Sequence, residues 1–343
     1  MGRCDQECKH QAMKPFRIVC ALLLGLLPEV LPGPLPGLTS GAWAQTYPSK
    51  PVRMLVGAAA GGTTDIVARA IAARLAERLG GQVLVENRGG AGGNIALDVV
   101  AKAAPDGHTL AMAYSGLSIN PVVMASMPFD TLNDLTPVSL VSTVQMFLIV
   151  DANTSITSVR GLIDQAKANP GKLAIAGNAL ASVSHLSAEL FKQRAGVDMP
   201  VVVYKGSSPA LIDIMGGRVT AMFDTVPGAL SFIKGGKIRA IGIGGAKRSA
   251  LMPDVPTLQE AGLANFEIRS WYGVLTTAKT PPEIVERLSR EIAAIVRSPE
   301  LRASFAAQSL DPVGGTPAEF DSFIRAEMAS WSAVAKSAGI KIE

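Results

Sequence analysis

The chain has 343 residues, 48% of them hydrophobic and 17% charged, and a formal charge of +4 at neutral pH. That length suits two ordinary domains or one large one with a sizeable core. The charge is mild, and no Lys/Arg run is interleaved with aromatic residues, which excludes nucleic acid from the expected partners.

The first 44 residues differ from the rest. Lys9, Lys14 and Arg17 precede or abut an apolar run from Ile18 to Leu27, too short to span a bilayer. A Pro/Gly-rich stretch then ends in Ala42-Trp43-Ala44. This pattern predicts a secretory signal peptide over 1–44, cleaved after Ala44, with Met1 or Met13 as its start. A single anchoring helix is the alternative, and Pro28, Pro32, Pro34 and Pro36 oppose it. Cys4, Cys8 and Cys20 all fall in this leader, so the mature chain needs no disulfide and offers no thiol. Nothing after Gln45 reads as a membrane span, and a soluble periplasmic protein is expected.

From residue 46 onward, short apolar runs alternate with helical patterns. Strands are predicted at 52–57, 82–87, 109–114, 146–151, 172–177, 201–206, 219–224, 238–244 and 267–277. Many are continuously apolar, as strands buried on both faces are. Between them, Val67, Ile71 and Leu75 share one helical face, and Ile95, Val99 and Ala103 share another, with Asp98 and Lys102 as an i,i+4 pair. Thr257–Glu260, Thr280–Glu283 and Thr316–Glu319 have capping-box spacing, and Pro281 and Pro317 fall at first helical positions. A last helix begins near 316, with Phe320, Ile324, Trp331 and Val334 inward. The alternation predicts an α/β fold with mostly parallel sheets. The strand, Gly-rich turn, helix unit of 52–79 recurs at 172–195 and 201–215, which suggests two similar lobes facing a common cleft.

Four turns carry the candidate chemistry. Gly61-Gly62-Thr63-Thr64-Asp65 opens a helix whose free amides and positive dipole end suit an anion. Thr63 or Thr64 is expected to cap it. No lysine follows as a phosphate loop requires, and the glycine spacing is not that of a dinucleotide site, so a small carboxylate is the expected ligand. Asp65 is expected to stabilise the helix dipole. The runs 86–96, 176–187 and 203–211 resemble this corner, the third with His185 and the fourth with Tyr204, Gly206, Ser207 and Ser208. Each lies at the carboxyl end of a predicted strand, where ligands bind in open α/β sheets.

Catalysis is weighed against these corners. Ser184, His185 and Asp224 are the residue types of a hydrolase triad, yet adjacent helical residues point about 100° apart, and no G-x-S-x-G elbow is present. His108 and His185 are the only histidines after the leader, which makes a metal site improbable. His185 reads equally as a packing residue or a polar ligand contact, and Asp224 as a cleft residue or a cap. No catalytic residue, metal or cofactor is expected.

The segments 51–116, 176–191, 204–224, 237–262 and 270–288 resemble the extracytoplasmic solute receptors of tripartite tricarboxylate transporters, also called Bug proteins. The resemblance covers nearly all of 46–343, in order. It implies a two-lobed periplasmic-binding-protein fold of the type II kind, each lobe a mostly parallel sheet flanked by helices. It implies crossings near 144–148 and 268–272, one lobe at 46–145 plus 271–343, the other at 146–270. Carried onto this chain, the family's carboxylate contacts point to Gly61, Gly62, Thr64, Asp65, Ser115, Gly177, Ser182, His185, Tyr204, Gly206 and Asp224. The implied role is capture of an organic carboxylate and its delivery to membrane transporter subunits or a sensor, by a monomeric mature chain. The alternatives are a secreted hydrolase using Ser184 or Asp224, and an orphan receptor feeding a signalling system.

Some positions depart from the family pattern. Gly57-Ala58-Ala59-Ala60 stands where an aromatic and prolines are usual, Val201-Val202-Val203 where a His-Val-Pro run is common, Ala181 in place of a glycine and Thr225 in place of an asparagine. The first of these implies a roomier site, for a bulkier or more apolar acid.

Overall fold

The computed structural model describes residues 47–340. The expected signal peptide, its cysteines and the cleavage after Ala44 lie outside them. In chain order the elements are β1 (Val52–Val56), α1 (Thr63–Leu79), β2 (Val83–Asn87), a 3-10 turn at Ala91–Gly93, α2 (Asn94–Ala101), β3 (Thr109–Tyr114), α3 (Gly116–Val123), β4 (Leu135–Asp151), α4 (Val159–Ala168) and β5 (Ile175–Gly177). They continue with α5 (Val183–Ala195), β6 (Val201–Val203), α6 (Ser207–Met215), β7 (Ala221–Thr225), α7 (Val226–Lys234), β8 (Ile238–Ile243), β9 (Arg269–Thr277), α8 (Pro282–Arg297), α9 (Pro299–Ala306), β10 (Leu310–Pro312) and α10 (Pro317–Ala338).

The fold is mixed α/β and two-lobed. The strand order is β2-β1-β3-β9-β4-β7-β5-β6, with β8 and β10 also pairing to β4. The β2-β1-β3 and β6-β5-β7 groups are parallel, while β9 and β4 pair antiparallel to their neighbours. The long β4 serves both sheets. Residues up to Gln145 pair with β9, and from Met146 onward with β7.

Each sheet is covered on both faces. Val52, Met54 and Val56 pack toward Val67, Ile71 and Leu75 of α1 and Leu288 and Ile292 of α8. Leu55, Trp271 and Leu275 face Leu97 and Val100 of α2 and Phe320 and Ile324 of α10. In the second sheet, Phe147, Ile149 and Met222 face α6 and α7, and Leu148, Val150 and Phe223 face α4 and α5. This two-sided burial is why the parallel strands read as unbroken apolar runs. The far end of α10, at Trp331 and Ala335, joins the core of the second sheet.

Several local expectations change in the structure. The buried face of α2 is Ala96, Leu97 and Val100, while Ile95 is half exposed. Thr316 and Glu319 form a reciprocal capping box on α10, and Thr257 and Glu260 exchange the same two bonds at a turn. The Thr280 hydroxyl instead donates to the Thr277 carbonyl, and α8 starts one residue later than expected, with Pro281 as its N-cap. Two strands were not expected. The segment 135–145 lacks a clear apolar pattern and is held by its neighbour β9, and β10 is only three residues long.

Candidate functional site

The first corner is held open from below. Gly61 N–H donates to Asp65 Oδ2 at 2.9 Å, and the same carboxylate accepts from Arg69 Nε at 3.0 Å and Asn87 Nδ2 at 2.9 Å. Burial opposes the charge on Asp65, but these bonds hold its carboxyl below the usual range. Bonded to Gly61, Arg69 and Asn87, Asp65 supports the loop. Neither threonine caps α1; its N-cap is Gly62, with no side-chain bond. Thr63 reaches elsewhere, as described below.

The corners of the first sheet lie against one another through bare backbone. A Cβ on Gly57 would sit 2.7 Å from Gly93 Cα, and one on Gly116 would sit 2.6 Å from the Gly92 carbonyl oxygen. Only glycine permits that approach. The turn after β1 and the starts of α2 and α3 are thereby gathered. Ser115, at the start of α3, is bound to the second crossing: its hydroxyl lies 3.0 Å from Ser270 Oγ and accepts from Trp271 N–H at 3.2 Å.

The corners of the second sheet are gathered by hydrogen bonds. Tyr204 N–H donates to the Gly177 carbonyl at 2.8 Å and Gly206 N–H to the Asn178 carbonyl at 2.6 Å. Asn178 Nδ2 donates to Ser207 Oγ at 3.3 Å, and Ser207 Oγ donates to Asp224 Oδ1 at 3.0 Å. Ser182 caps α5, accepting from His185 N–H at 3.2 Å. His185 Nδ1 faces Ala181 N–H at 3.3 Å, so its Nε2 carries the ring proton. Burial lowers the tendency of His185 to protonate, with Lys192 adding to that and Glu189 opposing it.

Two candidates stand differently from their neighbours. The Tyr204 hydroxyl is committed to Asp213, which also pairs with Arg218; burial and that bond push the phenol up to about 12. Only the main chain of Tyr204 takes part in the corner. Ser184 donates to the Phe223 carbonyl at 2.5 Å and accepts from Asn178 N–H at 3.2 Å, and so ties α5 to β7 with no hydrogen bond between its hydroxyl and the His185 ring.

The two groups of corners meet at one direct bond. Thr63 Oγ1 lies 3.2 Å from Thr225 Oγ1, the N-cap of α7. The buried Tyr272 hydroxyl faces Thr63 and Ser270 and feels the charge of Asp224. The contacts carried over from the family leave out Thr63, Asn178, Ser207, Thr225 and Tyr272, of which Thr63, Asn178 and Ser207 lie within the candidate turns. Their sequence signal is that most of them adjoin residues already singled out.

Helix starts separate by location. α1, α2, α3, α6 and α7 begin at these corners, and none has a side-chain cap. α4, α9 and α10 begin elsewhere and are capped by Ser158, Ser298 and Thr316. α5 is the capped exception at the corners, and α8 the uncapped exception away from them. Five sets of first-turn amides thus lack the side-chain acceptor that such groups require. Among the described residues no cluster of His, Cys, Asp and Glu suits a metal ion, and no helix is long and apolar enough to cross a membrane.

A profile described as tripartite tricarboxylate transporter family receptor matches residues 67–340. The chain belongs to that family. It is 39% identical to Protein BugT of Bordetella pertussis (strain Tohama I) over 90% of this chain and 95% of that one. Among solved structures it is similar to R. palustris Rpa4515 with adipate, at 38% identity and a TM-score of 0.83, covering 86% of this chain and 99% of that one. It is also similar to MatC of Rhodopseudomonas palustris with bound malate, at 29% identity and a TM-score of 0.77, covering 84% and 99%. As a solute receptor of this family, the protein has all but one of its uncapped helix starts at these corners, α8 being the exception.

Proposed function

We propose that this receptor captures an organic carboxylate between its lobes, leaves it chemically unchanged, and hands it to the membrane subunits of a tripartite transporter. The observation that carries this reading is the set of five uncapped helix starts gathered at the glycine corners. Main-chain amides with the positive ends of helix dipoles recognise a carboxylate without a cationic side chain. Adipate and malate in the two solved relatives support the ligand class. The engagement of Ser184 with Phe223 and Asn178 supports a receptor over a hydrolase.

In this reading the site comprises the corners at Gly61, Gly62, Thr64, Gly177, Tyr204 and Gly206, where the amides of Gly61, Tyr204 and Gly206 hold the loops in place through Asp65, Gly177 and Asn178 and leave contact to the first-turn amides that follow; Asp65, Ser115, Ser182 and His185 shape the loops and Asp224 faces the ligand. The lobes divide where β4 changes partner, at 145/146, and again near 270/271. The leader is cleaved after Ala44, and the mature chain acts as a monomer in the periplasm. Four or five charge-assisted bonds of roughly 1.5–3 kcal/mol each, less the cost of ordering, correspond to a dissociation constant of about micromolar.

Native mass spectrometry of the protein purified without unfolding tests the proposal. The expected result is a retained organic acid, or a complex with one member of an added acid panel, of unchanged mass after incubation. Turnover of the acid, or binding of neutral solutes only, overturns it.

A further inference from the structure

Asp224, near the Thr63–Thr225 contact, is a buried carboxylate with an oxygen to spare. It is the last residue but one of β7 and is 2% exposed. Its Oδ1 accepts from Ser207 Oγ at 3.0 Å and from Thr225 N–H at 2.8 Å. Its Oδ2 has no hydrogen-bond partner among the described residues. The flank of that oxygen is kept bare by Gly228 of α7, where a Cβ would come within 3.1 Å. The Tyr272 hydroxyl, across the lobe boundary, is turned to Thr63 and Ser270 instead. A buried carboxylate oxygen without a donor is costly, and here no neighbouring side chain satisfies it.

We infer that Asp224 Oδ2 is a specificity-determining acceptor, completed by a hydrogen-bond donor on the ligand, so that the receptor selects carboxylates bearing an ammonium or hydroxyl group. This deepens the proposed carboxylate-receptor function and rests on it. It also gives the ligand a direction. Asp224 lies beside the starts of α6 and α7, bonded to the Ser207 hydroxyl and the Thr225 N–H, and its charge opposes a second anion there, so the anionic head goes to the uncapped starts of α1, α2 and α3 in the first lobe. The donor end then meets Asp224 in the second lobe. A ligand lacking a donor leaves Oδ2 unpaired, or brings a second negative group against it.

Matched acids test this by titration calorimetry at pH 7.5: succinate, malate and aspartate as one set, and adipate, 2-hydroxyadipate and 2-aminoadipate as another. In whichever set binds, the donor-bearing acids are expected to bind about tenfold or more tightly than the plain diacid, and the relative order of hydroxyl and ammonium identifies the donor. In Asp224→Asn, Ser207 and Thr225 still hold the amide oxygen, so the NH2 group replaces Oδ2 and donates. The preference is then expected to reverse toward the plain diacid. Equal affinities within a set, or an unchanged preference in Asp224→Asn, overturn the inference while leaving the carboxylate receptor standing. Failure of all six acids and of benzoate and 4-hydroxybenzoate to bind overturns both. The wild-type comparison decides the matter even if the variant folds poorly.

Discussion

Thr63 Oγ1 and Thr225 Oγ1 lie 3.2 Å apart although 162 residues separate them. One is the first residue of α1, the other the N-cap of α7, so this bond joins a corner of the first sheet to a corner of the second. Thr225→Val keeps the shape and removes the hydroxyl. One neutral hydrogen bond is worth about 0.5–1.5 kcal/mol, so the affinity for the best-binding acid is expected to fall roughly 2–10-fold. Titration calorimetry reads this directly, and an unchanged affinity contradicts a bridging role.

Asp65 is expected to matter for stability through the loop it holds. Its bonds to Gly61, Arg69 and Asn87 keep its carboxyl below the ordinary range. A lowered folded-state value means stability present above the unfolded value of about 4 and lost as pH falls through the folded one. Asp65→Asn should lower the melting temperature by about 2–6 °C at pH 7. The difference should shrink below pH of about 4, and a gap that persists unchanged at pH 3 argues against the charge.

Asp224 has the opposite sign. Burial pushes its carboxyl up to about 6, against the bonds from Thr225 and Ser207. A raised folded-state value means that stability is fully present below the unfolded value of about 4 and is lost as pH rises through about 6. That loss is on the order of 3 kcal/mol. Ligand-free Asp224→Asn is therefore expected to melt higher than wild type at pH 7.5, with the gap closing near pH 4. A lower melting temperature for the variant at pH 7.5 runs against this.

Ala181 holds a left-handed backbone, with φ 55°, in the loop latched by His185. That conformation costs an L-residue roughly 1 kcal/mol and glycine nothing. Ala181→Gly is expected to raise the melting temperature by about 1–3 °C, as strain relief outweighs added chain entropy. Differential scanning calorimetry measures it, and a fall of the same size shows that chain entropy governs the position.

Much of the fold was legible locally. The apolar run, glycine corner and amphipathic helix at 52–79 read correctly because α1 buries Val67, Ile71 and Leu75 wherever the sheet lies. The Thr316–Glu319 box was legible because all its bonds close within four residues. Less legible were the inward face of α2, where small Ala96 replaces bulkier Ile95 against the sheet, and the strand at 135–145, whose pairing depends on β9.

By itself the sequence determined the alternation of elements, the family and the glycine corners, since each is written in contiguous residues. Tertiary structure alone decided that Asp65 supports a loop, that the Tyr204 hydroxyl goes to Asp213, and that Thr63 meets Thr225 beside Asp224. Periodicity records whether a segment is buried but not what it is buried against. A side chain's partner is set by how two sheets come together, and no short window of sequence contains that.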